Sequence, residues 1–312
     1  MSTRHLVDPE LLPLLDAFPT VTITSDNLQE LRNRDLPLPA VGDCGVAWDE
    51  RMIDGPATPI KVRIYRPRTA AGSMGCIFHI HGGGFVGGNV AEVEFLHRPL
   101  ASELNCVIVT VEYRLAPETH FPGNIEDCYA ALSWTFANAC KLGIDGTRIG
   151  VMGESAGGGL AAALSLLARD RAEHGLAFQH LIYPMIDDRT CVRQPNPHAG
   201  EFVWHAHNNA FGWRALLGQE PGSPDVSPYA APARAADLSG LPPTFISTAT
   251  LDLFVDENID YATRLIRAGV PTELHVWPGG FHGFDLLPGT WISDAARQAS
   301  VNALRRALKG SA

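Results

Sequence analysis

Two segments, Gly-Cys-Ile-Phe-His-Ile-His at 75–81 and Asn-Cys-Val-Ile-Val-Thr-Val at 105–111, are almost continuously apolar over the length of a strand. A strand with one face in water alternates polar and apolar residues, whereas one covered on both faces does not. These runs therefore predict central strands with helices on each side of the sheet. Further strand-length runs stand at 148–152, 179–183, 244–248 and 273–277, among helix-length stretches at 125–142, 157–171, 257–268 and 293–308. That succession predicts an α/β fold with a mainly parallel sheet. Segment 59–66 sets Ile60, Val62 and Ile64 against Lys61, Arg63 and Tyr65, the pattern of a half-buried strand toward the sheet edge.

Two stretches stand outside this order. Residues 187–241 are proline-rich, carry Trp204, Trp213, His198, His205 and His207, and offer only a short helix at 208–217. So long a segment between strands is usually a functional insertion. At the start, Asp8-Pro9 reads as an N-cap and first helical residue ahead of Leu11, Leu12, Leu14 and Leu15, with a second helix at 26–34 ended by Pro37 and Pro39. The expectation is a cap formed by residues 1–42 and 187–241 over a core of 43–186 and 242–312.

A net charge of −10 argues against nucleic acid or an anionic membrane as partner, since both need a basic patch. No apolar run reaches the roughly 20 residues of a bilayer span, and the N-terminus has no apolar signal core, so a soluble cytoplasmic protein is expected. The six cysteines form no CxxC pair; Cys76 and Cys106, opening apolar runs, are expected as buried reduced thiols.

Gly153-Glu154-Ser155-Ala156-Gly157 fits G-x-S-x-G between a predicted strand and a predicted helix. Such a turn exposes a strained serine as nucleophile beside the N–H groups of a helix start, and needs small residues two before and two after. The rivals are an incidental glycine-rich turn or a phosphate loop, but the spacing fits neither G-x-G-x-x-G nor a P-loop with its lysine. His81-Gly82-Gly83-Gly84-Phe85 follows a buried strand, and three glycines there suit N–H donors for a tetrahedral intermediate. The donors expected are Gly83, Gly84 and Ala156. His81 is expected to hold the glycine loop, and His79 to be a core histidine.

Among twelve histidines, His282 stands in Pro-Gly-Gly-Phe-His-Gly-Phe just past a strand end, where catalytic loops collect, and is expected as the base. His275 lies within a strand; His205 and His207 lack a third metal ligand, so no metal is expected. Asp252 follows the 244–248 strand and is expected to orient the base; Asp256 is the rival, better placed as a helix N-cap. The order Ser155, Asp252, His282 differs from those of chymotrypsin and subtilisin. Phe85, Trp204, Phe211 and Trp213 are expected to line the substrate pocket.

Together, His81-Gly-Gly-Gly84, Tyr113-Arg-Leu-Ala-Pro-Glu118, Gly153-Glu-Ser-Ala-Gly157 and Phe281-His-Gly-Phe284 resemble the hormone-sensitive-lipase-like branch of the α/β-hydrolase carboxylesterases. The resemblance implies a sheet of about eight strands, a helical cap, no cofactor, a small-molecule ester substrate of short to medium chain, and a homodimer. Two positions depart from it: Glu154 stands where Asp or Thr is commoner, and Asp252-Leu-Phe254 where Asp-Pro-Leu is. The competing readings are an amidase or lipase on the same residues, a non-catalytic ligand receptor on this fold, and a metallohydrolase.

Overall fold

The computed structural model describes residues 2–17, 20–34, 38–69, 72–286 and 288–309. Pro37, expected to end the second helix, lies outside them. Asp8 caps a 3-10 turn at Pro9–Leu11 by accepting the Glu10 N–H at 2.9 Å, and this turn runs into α1 (Leu12–Ala17); α2 is Leu28–Asn33. Then come β1 (Val46–Ile53), β2 (Ile60–Pro67), β3 (Met74–Ile80), α3 (Glu94–Leu104), β4 (Val107–Glu112), α4 (Gly123–Ala137), α5 (Ala139–Leu142), β5 (Ile144–Glu154) and α6 (Ala156–Arg171). The chain closes with β6 (Gln179–Ile182), α7 (Ala206–Leu217), β7 (Thr244–Ala249), α8 (Val255–Arg267), β8 (Thr272–Trp277) and α9 (Trp291–Lys309).

One eight-stranded sheet runs β1-β2-β4-β3-β5-β6-β7-β8. The β1–β2 and β2–β4 pairs are antiparallel and the rest parallel. The two apolar runs are the neighbours β3 and β4 at its centre. Cys76, Phe78 and Ile80 face one apolar layer with Leu132 of α4 and Leu160 of α6; Ile77 and Ile108 face the opposite layer with Ala101 of α3 and Leu304 of α9. Both faces are covered, which is why neither strand alternates.

Two expectations are corrected, and two elements went unnamed in the sequence. β2 lies toward the sheet edge as expected, second after β1, but it is not half-buried: Ile64 and Tyr65, on opposite faces, are both buried. β1 itself and α3 give weak sequence signals, β1 because its residues between Val46 and Ile53 are all exposed. The 125–142 helix is two helices, broken at Asn138.

The N-terminal segment and the 187–241 insertion are bonded to each other. Asn208 of α7 accepts the Ile23 N–H at 2.8 Å and donates to Val21 O at 2.8 Å, and Glu201 receives the Ser2 hydroxyl at 2.5 Å.

Candidate active site

β5 ends at Glu154 and α6 begins at Ala156, so Ser155 alone makes the turn. It does so at φ 55° and ψ −122°, a backbone conformation that side-chain-bearing residues avoid unless their surroundings enforce it. Here the Ser155 N–H donates to Ile182 O at 2.9 Å, and its carbonyl accepts the Met185 N–H at 2.9 Å. A Cβ on Gly153 would stand 2.3 Å from Gly157 O, and one on Gly157 would stand 2.0 Å from Ile80 O. Only glycine fits at either place.

The second loop leaves the end of β3. Gly83 turns at φ 116° and Gly84 at φ 60°, and a Cβ on Gly83 would fall 2.1 Å from Gly87 O. A Cβ on Gly82 would stand 3.5 Å from Ser155 Cβ, so the loop passes beside the serine. Among the described residues, the N–H groups of Gly83, Gly84 and Ala156 take no protein acceptor.

This loop is braced from several sides. His81 Nδ1–H donates to Gly82 O at 2.8 Å, and the ring stacks on Tyr113 at 4.4 Å between centroids. The Tyr113 hydroxyl donates to His81 O at 3.0 Å, and the Ala116 N–H donates to Phe85 O at 2.9 Å. Segment 113–118 is thus a prop for the glycine loop. Arg32 of α2 tightens it from outside, donating to Val86 O at 2.6 Å and Ala116 O at 2.7 Å while pairing with Glu118 at 2.8 Å.

His282 reaches Ser155 from the loop after β8, its Nε2 2.9 Å from Ser155 Oγ. Its Nδ1 lies 2.8 Å from Asp252 Oδ2, and since a carboxylate only accepts, Nδ1 carries the proton and Nε2 is free to take one. Asp252 is fully buried, and its Oδ1 accepts the Phe254 N–H at 2.9 Å. Asp256 is exposed and faces Asn196 at 3.3 Å. It also is not the helix N-cap expected of it: α8 starts at Val255 with Phe254 before it, placing Asp256 in the first turn.

Of the four expected pocket residues, Trp204 stands beside the base and the glycine loop: its ring lies 6.4 Å from that of His282, and a Cβ on Gly84 would meet its Cη2 at 2.2 Å. Phe85 and Trp213 pack together at 5.2 Å, both buried, while Phe211 packs against the cluster of Leu28, Val86 and Ala116. Sequence reading missed Tyr183 and Phe254, whose rings contact the His282 imidazole edge-on at 4.8 and 5.3 Å. Tyr183 follows β6 directly and precedes Pro184, a signal available in the sequence; Phe254 carried none.

Behind the serine, Glu154 turns to the α3–α9 face and meets His79 Nε2 at 2.8 Å. Burial pushes its carboxyl up to about 7 and drives the His79 imidazole well below its ordinary range.

The profile of the alpha/beta hydrolase fold family matches residues 77–286. The chain belongs to that family, in its hormone-sensitive-lipase-like branch. A carboxylesterase of Mycobacterium tuberculosis, NlhH, is 35% identical over 98% of this chain and 97% of its own. An arylesterase of Saccharolobus solfataricus is 33% identical over 95% and 96%. Among solved structures, a bacterial heroin esterase superposes with a TM-score of 0.89 at 40% identity, covering 98% of this chain and 99% of that one. The family shares the scaffold; the arrangement of Ser155, Asp252 and His282 is read from this chain's own geometry.

Proposed function

We propose that this carboxylic ester hydrolase works through an acyl-enzyme formed on Ser155, with His282 as general base and acid and Asp252 holding the imidazole. Ser155 Oγ attacks the ester carbonyl carbon while His282 Nε2 takes its proton. The carbonyl oxygen, now an anion, is held by the N–H groups of Gly83, Gly84 and Ala156. His282 returns the proton to the departing alcohol, then removes one from the water that attacks the acyl-enzyme and passes it to Ser155 Oγ as the acyl–Oγ bond breaks and the acid leaves.

The observation that carries this reading is the continuous chain Asp252–His282–Ser155, with contacts of 2.8 and 2.9 Å, set against three uncommitted N–H donors. N–H groups fixed in advance need no reorganisation as charge develops, and this is commonly the largest contribution to such catalysis.

Short- to medium-chain esters are the substrates in this reading, as the resemblance to the hormone-sensitive-lipase-like branch implies, and Trp204, which stands against Gly84, is the side chain placed to limit the acyl chain. Residues 1–42 and 187–241 act as the cap, with 43–186 and 242–312 as the catalytic core. The six free cysteines support a reducing, cytoplasmic setting, and no helix among the described residues is long and apolar enough to cross a membrane. Treatment with a diethyl phosphoryl organophosphate tests the mechanism: one adduct on the Ser155 peptide with parallel loss of esterase activity is expected. Activity that survives full modification would refute it.

A further inference from the structure

A cavity of about 350 Å³ opens on the α3–α9 face, directly behind the serine turn and lined by neither Ser155 nor His282. Glu154, Tyr183 and Asp285 form its inner wall; Leu96, Leu100 and Val301 give it an apolar side. Two buried polar atoms of its lining have no partner. Asp285 Oδ1 is fully covered yet accepts nothing, and His97, 1% exposed, leaves Nε2 unpaired while Nδ1 meets Thr110 at 3.1 Å. A buried polar atom without a partner carries a desolvation cost, larger where it is charged, and calls for an occupant.

The charge around the cavity selects that occupant. Asp285, Asp294, Glu103 and Glu154 line it against one cation, Arg297. Glu103 is already paired with Arg305 at 2.7 Å. Arg297 points its guanidinium at the carbonyls of Leu286 and Asp285, at 3.3 and 3.5 Å, instead of at the Asp285 carboxylate. The unmet groups include a carboxylate oxygen and are flanked by the Tyr183 ring, a surface that attracts cations.

We propose that this cavity is a binding site for a small organic ammonium ion, a protonated amine on an aryl or alkyl skeleton, separate from the ester site. The ammonium N–H donates to Asp285 Oδ1 and the carbon skeleton lies along Leu96, Leu100 and Val301. Burial pushes the Asp285 carboxyl up to about 6, outweighing the Tyr183 hydroxyl and the Arg297 charge, which both act to lower it. The volume is within the range of small-molecule sites, which begin near 300 Å³.

Calorimetric titration with phenethylammonium chloride, set beside its neutral counterpart 2-phenylethanol, tests the site. The ammonium should bind at least about tenfold more tightly than the alcohol. Asp285→Asn should remove that preference. Should Asp285→Asn fail to fold, Leu286→Trp, at an exposed rim position, keeps the charge and fills the mouth, and should abolish binding of both probes. Binding to wild-type protein should persist after Ser155 is blocked with an organophosphate. Equal affinity for the two probes, no binding of the ammonium, or unchanged preference in Asp285→Asn overturns the proposal. Loss of binding on blocking Ser155 assigns the amine to the ester site instead and equally overturns it. None of these readouts requires turnover, so a failure here leaves the proposed hydrolytic mechanism standing, and the converse.

Discussion

Asp252 and Asp256 are separated by one helical turn in sequence, and both lie just beyond the end of β7, so residue type and position barely distinguish them. Burial and contact do. Asp252 is fully buried against His282 Nδ1, whereas Asp256 is exposed and, among the described residues, its carboxylate is bonded only to Asn196. Replacing Asp252 with Asn removes the acceptor that fixes the imidazole tautomer, so kcat should fall by about 10⁴-fold with little change in KM. Asp256→Asn should stay within about threefold of wild type, as expected for an exposed polar substitution away from the reacting atoms. Steady-state kinetics on one ester would decide between them, and comparable losses in both variants would reopen the assignment. The sequence left this pair open because the deciding contact spans from residue 252 to residue 282, beyond any local pattern.

At the scale of elements, β3 and β4 were legible because burial on both faces imposes a composition on a strand, and the serine turn was legible because its steric demands impose glycines at 153 and 157. β1 and the bracing of the glycine loop beyond the expected His81 contact were not. β1 lies exposed at the sheet edge, where few side chains are constrained. The brace joins Arg32, Tyr113 and Ala116 to residues 81–86, and such long-range hydrogen bonds leave no periodic trace. The 187–241 insertion was recognised as a unit, yet its side chains could not be placed: only the structure puts Trp204 against Gly84 and Phe211 in a separate cluster. Trp204 precedes α7 and follows Val203, which adopts φ 60° and so aims the indole across the loop. Trp204→Ala should therefore raise kcat/KM for p-nitrophenyl decanoate relative to the butyrate by about tenfold or more, in line with a few buried methylenes. An unchanged chain-length profile would show that the acyl chain runs elsewhere.

For the molecule as a whole, buried titratable groups make stability depend on pH in a way that can be followed to one residue. Burial holds the Glu154 carboxyl at about 7 in the folded chain against an ordinary value of 4.5. The folded state then binds more protons than the unfolded state between those two values, so this group's contribution to stability falls as pH rises through that window and is fully unfavourable above it. Glu154→Gln removes the titration. Measured by denaturant unfolding at pH 5 and pH 8, the variant should gain on wild type at the higher pH by roughly 1–3 kcal/mol. A difference independent of pH would mean that the carboxyl is ionised throughout, with His79 carrying more of the charge than its burial suggests.

The proposed mechanism stands on an acyl-enzyme at Ser155. Its most direct test is kcat/KM for p-nitrophenyl butyrate with wild type and Ser155→Ala, both checked for the same unfolding transition. A fall of at least about 10⁴-fold in the variant is predicted, since removing the nucleophile leaves only the N–H donors and binding to assist water. A variant within about tenfold of wild type would contradict the account.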